Sequence, residues 1–101
     1  MGGGRRLHPA VFTLVAALAK RDLSILADPE RIAAMYGELG FRLSLRSAFL
    51  HRGWLLANGY IVIVRGAEGE EVWLAERGLE LARRLGLDGN LPAAPARGAR
   101  R

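Results

Sequence analysis

Cysteine and glutamine are absent from the 101 residues, lysine occurs once, and there are only two histidines. Without cysteine there are neither disulfides nor thiolate metal sites, which excludes the small disulfide-stapled secreted scaffolds. Two histidines with no cysteine give no metal-ligand spacing, so no metal is expected. No uncharged apolar run reaches the roughly 18 residues that span a bilayer. The longest candidates, 7–19 and 53–64, fall short. An apolar run follows Arg5 and Arg6, in loose imitation of a signal peptide. It leads into Lys20-Arg21-Asp22 instead of a small-residue cleavage site, so a cytoplasmic protein without membrane contact is expected. The run Gly2-Gly3-Gly4 lacks the helix and Lys-Ser/Thr pair of a phosphate-cradling loop. No motif points to a cofactor or to a small-molecule ligand. The 14 arginines and few thermolabile side chains suit a hot-living source, although GC-rich coding gives the same bias.

What is present is a half-apolar chain of single-domain length with a net charge of +5. That charge sits at the ends. Arg5, Arg6, Arg97, Arg100 and Arg101 have no acidic neighbours, and residues 7–96 carry ten basic and ten acidic side chains. The basic ends could hold a polyanion through counterion release or simply keep the chain in solution. Inside the neutral body one stretch stands out: residues 39–67 contain Arg42, Arg46, Arg52 and Arg65 and no acid.

The apolar pattern predicts three helices, a hairpin and a last helix. Pro9 suits a first helical position, and the first helix is expected over 9–22. Its part 10–19 is apolar all round except for Thr13, as expected of a central helix or one covered by a second copy. Asp28-Pro29-Glu30 is a helix start, giving a second helix over 29–39. Ser44 caps a third helix over 45–57, ended by Asn58-Gly59, both tolerant of the left-handed conformation. The β-branched run 60–64 and the run 71–75 read as two strands around a turn at 65–70. Helical spacing returns over 76–85 and stops at Gly86. Trp73 is expected in the core, and Trp54 in the core or an interface. Residues 1–6 and 88–101 are expected to be disordered basic tails flanking one domain at 7–87.

Three segments carry a resemblance. They are Leu43-Ser44-Leu45-Arg46-Ser47-Ala48, then Trp54-Leu55-Leu56-Ala57-Asn58-Gly59-Tyr60-Ile61, then Val72-Trp73-Leu74-Ala75-Glu76-Arg77-Gly78-Leu79-Glu80-Leu81-Ala82. Together with the element order they resemble the winged helix-turn-helix family, over about 9–85. The resemblance implies an α+β, mainly α fold: three helices, a β-hairpin wing and a C-terminal helix. It also implies a third helix that enters the major groove of double-stranded DNA. Carried over by position, the nucleic-acid-binding candidates are Arg42, Ser44, Arg46, Ser47, His51, Arg52 and Arg65. Arginine can fork onto guanine edges or phosphates. Arg52 stands where the family has a core leucine, Phe49 and Leu50 where many relatives expose polar contacts, and Ala75 where the family has threonine. The turn carries Glu68, Glu70 and Glu71, which repel phosphate.

Ser47 and His51 lie one helical turn apart, but no third orienting group or oxyanion site accompanies them, so no catalysis is expected. The expected function is double-stranded DNA binding, as a transcriptional regulator or small chromatin-associated factor. A homodimer through the first helix, or second the last helix, is expected with it. The alternative is a winged-helix protein-interaction module without a direct DNA role. RNA binding ranks third.

Overall fold

A computed structural model describes residues 7–89; the tails expected at 1–6 and, beyond Gly89, at the C-terminus lie outside the described residues. The described chain is a small α+β domain, mainly helical, with four α-helices and one antiparallel hairpin. In order these are α1 (Pro9–Ala19), a 3-10 helix (Leu23–Ala27), α2 (Pro29–Glu38), α3 (Leu45–Ala57), β1 (Ile61–Gly66), β2 (Gly69–Leu74) and α4 (Glu76–Arg84).

The start of α1 has two causes. Pro9 occupies the first turn, and His8 Nδ1 accepts the Ala10 N–H at 3.0 Å. The helix stops at Ala19, short of the expected residue 22, because Arg21 adopts the left-handed conformation (φ 58°). The Arg21 N–H then bonds Leu18 O at 2.9 Å and the Asp22 N–H bonds Ala17 O at 3.2 Å, which satisfies two terminal carbonyls. A non-glycine residue in that position carries a cost of about 1–2 kcal/mol.

The all-round apolar character of α1 is used inside the domain. Ala10, Val11, Leu14, Ala16, Ala17 and Leu18 are buried, and of its large side chains only Phe12 is exposed. The helix packs on α3, on the 3-10 helix and on α4. This 3-10 helix has no periodic pattern to betray it in so short a run. Asp22 starts it by accepting the Ser24 N–H at 3.1 Å, and Leu23, Ile25 and Leu26 fill the space between α2 and β2. Asp22 also receives the Ser24 hydroxyl and the Arg31 guanidinium, and these contacts hold its carboxyl below the ordinary range.

The α2 start follows the expected chemistry, with Asp28 Oδ1 accepting the Glu30 N–H at 2.9 Å. Ser44 Oγ likewise accepts the Ser47 N–H at 3.0 Å at the head of α3. At the other end of α3, Gly59 takes the left-handed conformation (φ 76°), whereas Asn58 does not. The Asn58 side-chain amide instead donates to Trp54 O at 2.9 Å. The hairpin is tighter than the sequence pattern suggests. Gly66 pairs with Gly69, so the turn is only Ala67-Glu68. Alternation puts Ile61, Val72 and Leu74 into the core, while Val62 and Val64 face out. Trp73 pairs with Val62 on the outer face and is half-buried, which corrects the expectation of a core tryptophan. Its indole N–H donates to Glu71 Oε1 at 3.2 Å.

The core joins Leu14 and Leu18 of α1, Leu26, Ile32 and Met35, Leu55 of α3 and Ile61 of β1. Helix α4 closes it over Ala82 and docks its first turn on the α3–β1 junction. The Ala75 N–H bonds Tyr60 O at 2.9 Å and the Arg77 N–H bonds Gly59 O at 3.1 Å. Ala75 is the N-cap of α4 and supplies no side-chain cap. Ala75→Ser is therefore expected to stabilise the domain by about 1 kcal/mol. In a domain of this size that raises the melting temperature by roughly 4–8 °C, which a thermal melt will read.

Candidate interaction surface

Helix α3 was the expected recognition element, and its angular order decides what it offers. At 100° per residue, Leu45, Phe49, Gly53, Arg46, Ala57 and Leu50 lie on one arc, with the half-buried Leu56 between Leu45 and Phe49. All six are exposed. Leu45, Phe49 and Leu50 are 51%, 57% and 56% accessible. The opposite arc, centred on Ala48 and Leu55, is buried against the core. The outward face of this helix is thus largely apolar with one cation, Arg46.

The seven site candidates divide into two groups. Arg42, Arg46 and Arg65 are exposed, and none forms a salt bridge among the described residues. Arg65 stands directly across the hairpin from Glu70. The other four have work inside the domain. Ser44 caps α3 with its side chain, whereas Ser47 contributes to that cap only through its backbone N–H. Arg52 is folded back toward the hairpin, its Nη2 3.8 Å from Glu70 Oε1 and its buried Nε without a hydrogen-bond partner among the described residues. Arg52 is thus a half-buried cation that reaches an acid of the hairpin.

His51 points toward α1. Its Nδ1 lies 2.8 Å from Thr13 Oγ1, and Thr13, fully buried, also meets the Tyr36 hydroxyl. Thr13 Oγ1 stands between the Tyr36 hydroxyl and His51 Nδ1 and can pass one proton direction along the chain either way: Tyr36 to Thr13 to a neutral His51 Nδ1, or His51 Nδ1–H to Thr13 to the Tyr36 oxygen. Burial holds His51 below the usual histidine pKa, and the nearby His8 adds to that effect. The one polar interruption in the apolar stretch 10–19, Thr13, is the centre of this three-residue chain. Its pairing with Tyr36 and His51, 23 and 38 residues away, has no local signature in the sequence.

A second group joins the ends of the domain. His8 stacks on Trp54 (centroids 4.1 Å apart), Trp54 on Tyr60 (5.5 Å), and the Arg77 guanidinium lies 4.7 Å from the Tyr60 ring centre. Trp54 is therefore half-buried in a column of side chains within the chain. Arg77 also donates to Asn58 O at 3.1 Å, which ties α4 to the end of α3.

Among the described residues no helix is long and apolar enough to cross a membrane, and no group of three or more acidic or histidine side chains is placed to hold a metal. Comparison with protein-family models, with curated proteins and with solved structures finds no match to this chain.

Proposed function

We propose that the chain is a winged helix-turn-helix domain, with α2 and α3 as the helical pair and β1–β2 as the wing, that acts as a protein-interaction module. The observation that carries this reading is the apolar outward arc of α3, where Leu45, Phe49 and Leu50 stay more than half exposed. A helix read in the major groove needs donors and acceptors on that arc. Here Arg46 is the one side chain of that kind on it, because Ser44, Ser47 and His51 fall on the other side of the helix. Covering the exposed half of these three side chains contributes roughly 1 kcal/mol each. The charge on the arc is Arg46, so the fitting partner is a protein surface with an apolar patch and a carboxylate placed to meet that guanidinium.

The test is a photo-crosslinking phenylalanine analogue at Leu50, activated in cells of the source organism. Adducts are expected to be destroyed by protease, to resist nuclease, and to fall at least tenfold in yield with Phe49→Asp or Arg46→Glu. Nuclease-sensitive adducts, or adducts indifferent to both substitutions, would overturn the proposal.

Duplex DNA binding is the second reading, favoured by the exposure of Arg42, Arg46 and Arg65, none of which forms a salt bridge among the described residues, and opposed at Arg65 by Glu70 across the hairpin. If those three contact phosphates, changing each to alanine will reduce the slope of log affinity against log salt by about one. A second copy docking through α1 has less to use, since Phe12 is the only large side chain α1 leaves exposed.

A further inference from the structure

We propose that the groove between α1, α2 and the loop entering α3 binds a small aromatic or aliphatic carboxylate, its hydrocarbon part on Phe12 and Phe41 and its carboxylate on Arg42. The groove has a volume of about 440 Å³, and its walls include Pro9, Phe12, Tyr36, Phe41 and Leu43. That size and apolar lining match small-molecule sites, which typically fall at roughly 300–1,000 Å³ with a few convergent polar groups. No local pattern marks it, because its lining comes from four segments: α1, α2, the loop before α3, and α3 itself.

Three rings shape the site. Phe12, Tyr36 and Phe41 meet edge to face, with centroid separations of 5.8, 6.2 and 6.4 Å. Tyr36 is fixed in place by its hydroxyl on Thr13. Phe12 and Phe41 nonetheless leave 47% and 58% of their surfaces to solvent. An aromatic or alkyl group of a ligand would cover that surface and extend the edge-to-face packing.

The polar groups fix the sign of the ligand. Arg42 and His51 line the groove, and no acid does. Residues 39–67, which supply one side of it, contain no acid at all. Arg42 makes no salt bridge among the described residues, so its guanidinium fork is available for a bidentate contact with a carboxylate. His51 is held in place by Thr13 at Nδ1 and adds a ring nitrogen, but no negative charge, to the lining. The ligand is therefore anionic at one end and apolar over the rest. The site lies off the outward arc of α3 and does not need that arc to meet a protein, and it shares Arg42 with the duplex-DNA reading.

The experiment uses the isotope-labelled full chain and three probes: 1-naphthoate, 1-naphthalenemethanol and inorganic phosphate. Naphthoate is expected to shift the amide resonances of Phe12, Leu43 and His51 saturably, and to bind about tenfold more tightly than the alcohol. Arg42→Gln should bring naphthoate down to the affinity of the alcohol, while Arg65→Gln should leave it unchanged. Phosphate should not saturate the same resonances. Arg42 is exposed and unpaired among the described residues, so the variant keeps the fold, and its spectrum verifies this. Shifts scattered over the surface, equal affinity for acid and alcohol, saturation by phosphate, or full binding by Arg42→Gln would each overturn the proposal.

Discussion

Replacing Gly78 by alanine is expected to destabilise the domain by about 3 kcal/mol or more and to lower its melting temperature by roughly 12–24 °C. A Cβ at this position would lie 2.0 Å from the Tyr60 carbonyl oxygen and 3.1 Å from a Leu74 methyl. Tyr60 O is backbone and already accepts the Ala75 N–H. No rotamer change relieves that contact, so the first turn of α4 must move away. Moving it breaks the bonds from Ala75 to Tyr60 and from Arg77 to Gly59 that hold α4 to the α3–β1 junction. A domain with a total stability of about 5–15 kcal/mol loses a large fraction of it. The same chemical change at Gly53 has the opposite expected sign. Gly53 lies in the middle of α3 with open space around a new Cβ, so alanine there should add about 0.5–1 kcal/mol of stability through helix propensity. Denaturant melts of the two variants side by side check both, and a neutral Gly78→Ala would show that α4 is not packed as described.

Thr13→Val should cost about 1–3 kcal/mol although it conserves shape. Valine fills the threonine site but removes the hydroxyl that stands between Tyr36 and His51. The Tyr36 hydroxyl is then buried without a partner, whereas the partly exposed His51 can reach water. The cost therefore lies mainly with Tyr36. It should be largely recovered by adding Tyr36→Phe, because removing both partners of a buried hydrogen bond is far less costly than removing one. A double-mutant cycle from denaturant melts measures this, and additive losses would mean that the hydroxyls are not coupled. The cluster also holds one wall of the groove beside α1, so naphthoate binding should weaken in the single variant and return in the double one.

Much of the fold was legible in the residue order. Local chemistry set the starts of α1, α2 and α3, because Pro9, Asp28-Pro29 and Ser44 act on backbone groups one to three residues away. The switch from helical spacing to β-branched residues at 60–64 placed the hairpin, because strand propensity is also local. The glycine that ends Leu74-Ala75-Glu76-Arg77-Gly78 was visible as a motif. Its cause, the Tyr60 carbonyl in contact with it, belongs to the tertiary structure.

The candidate site was less legible. Its arginines were found by the absence of acids over 39–67, a property of composition that the sequence holds by itself. Whether a polar residue of α3 faces solvent depends on how the helix is rotated about its own axis. That rotation is set by the packing of Ala48 and Leu55 into the core, which no spacing rule fixes for a helix with apolar residues on every side. The sequence by itself thus determined the element order, the helix caps and the neutral body with its arginine-bearing segment. Only the tertiary structure decided that His51 and Ser44 serve the domain, that Arg52 turns to Glu70, and that Leu45, Phe49 and Leu50 face outward. The reason is physical. Caps and turns are contacts within a few residues, while the outward face of α3 is what remains after the most favourable burial of the whole core has been found.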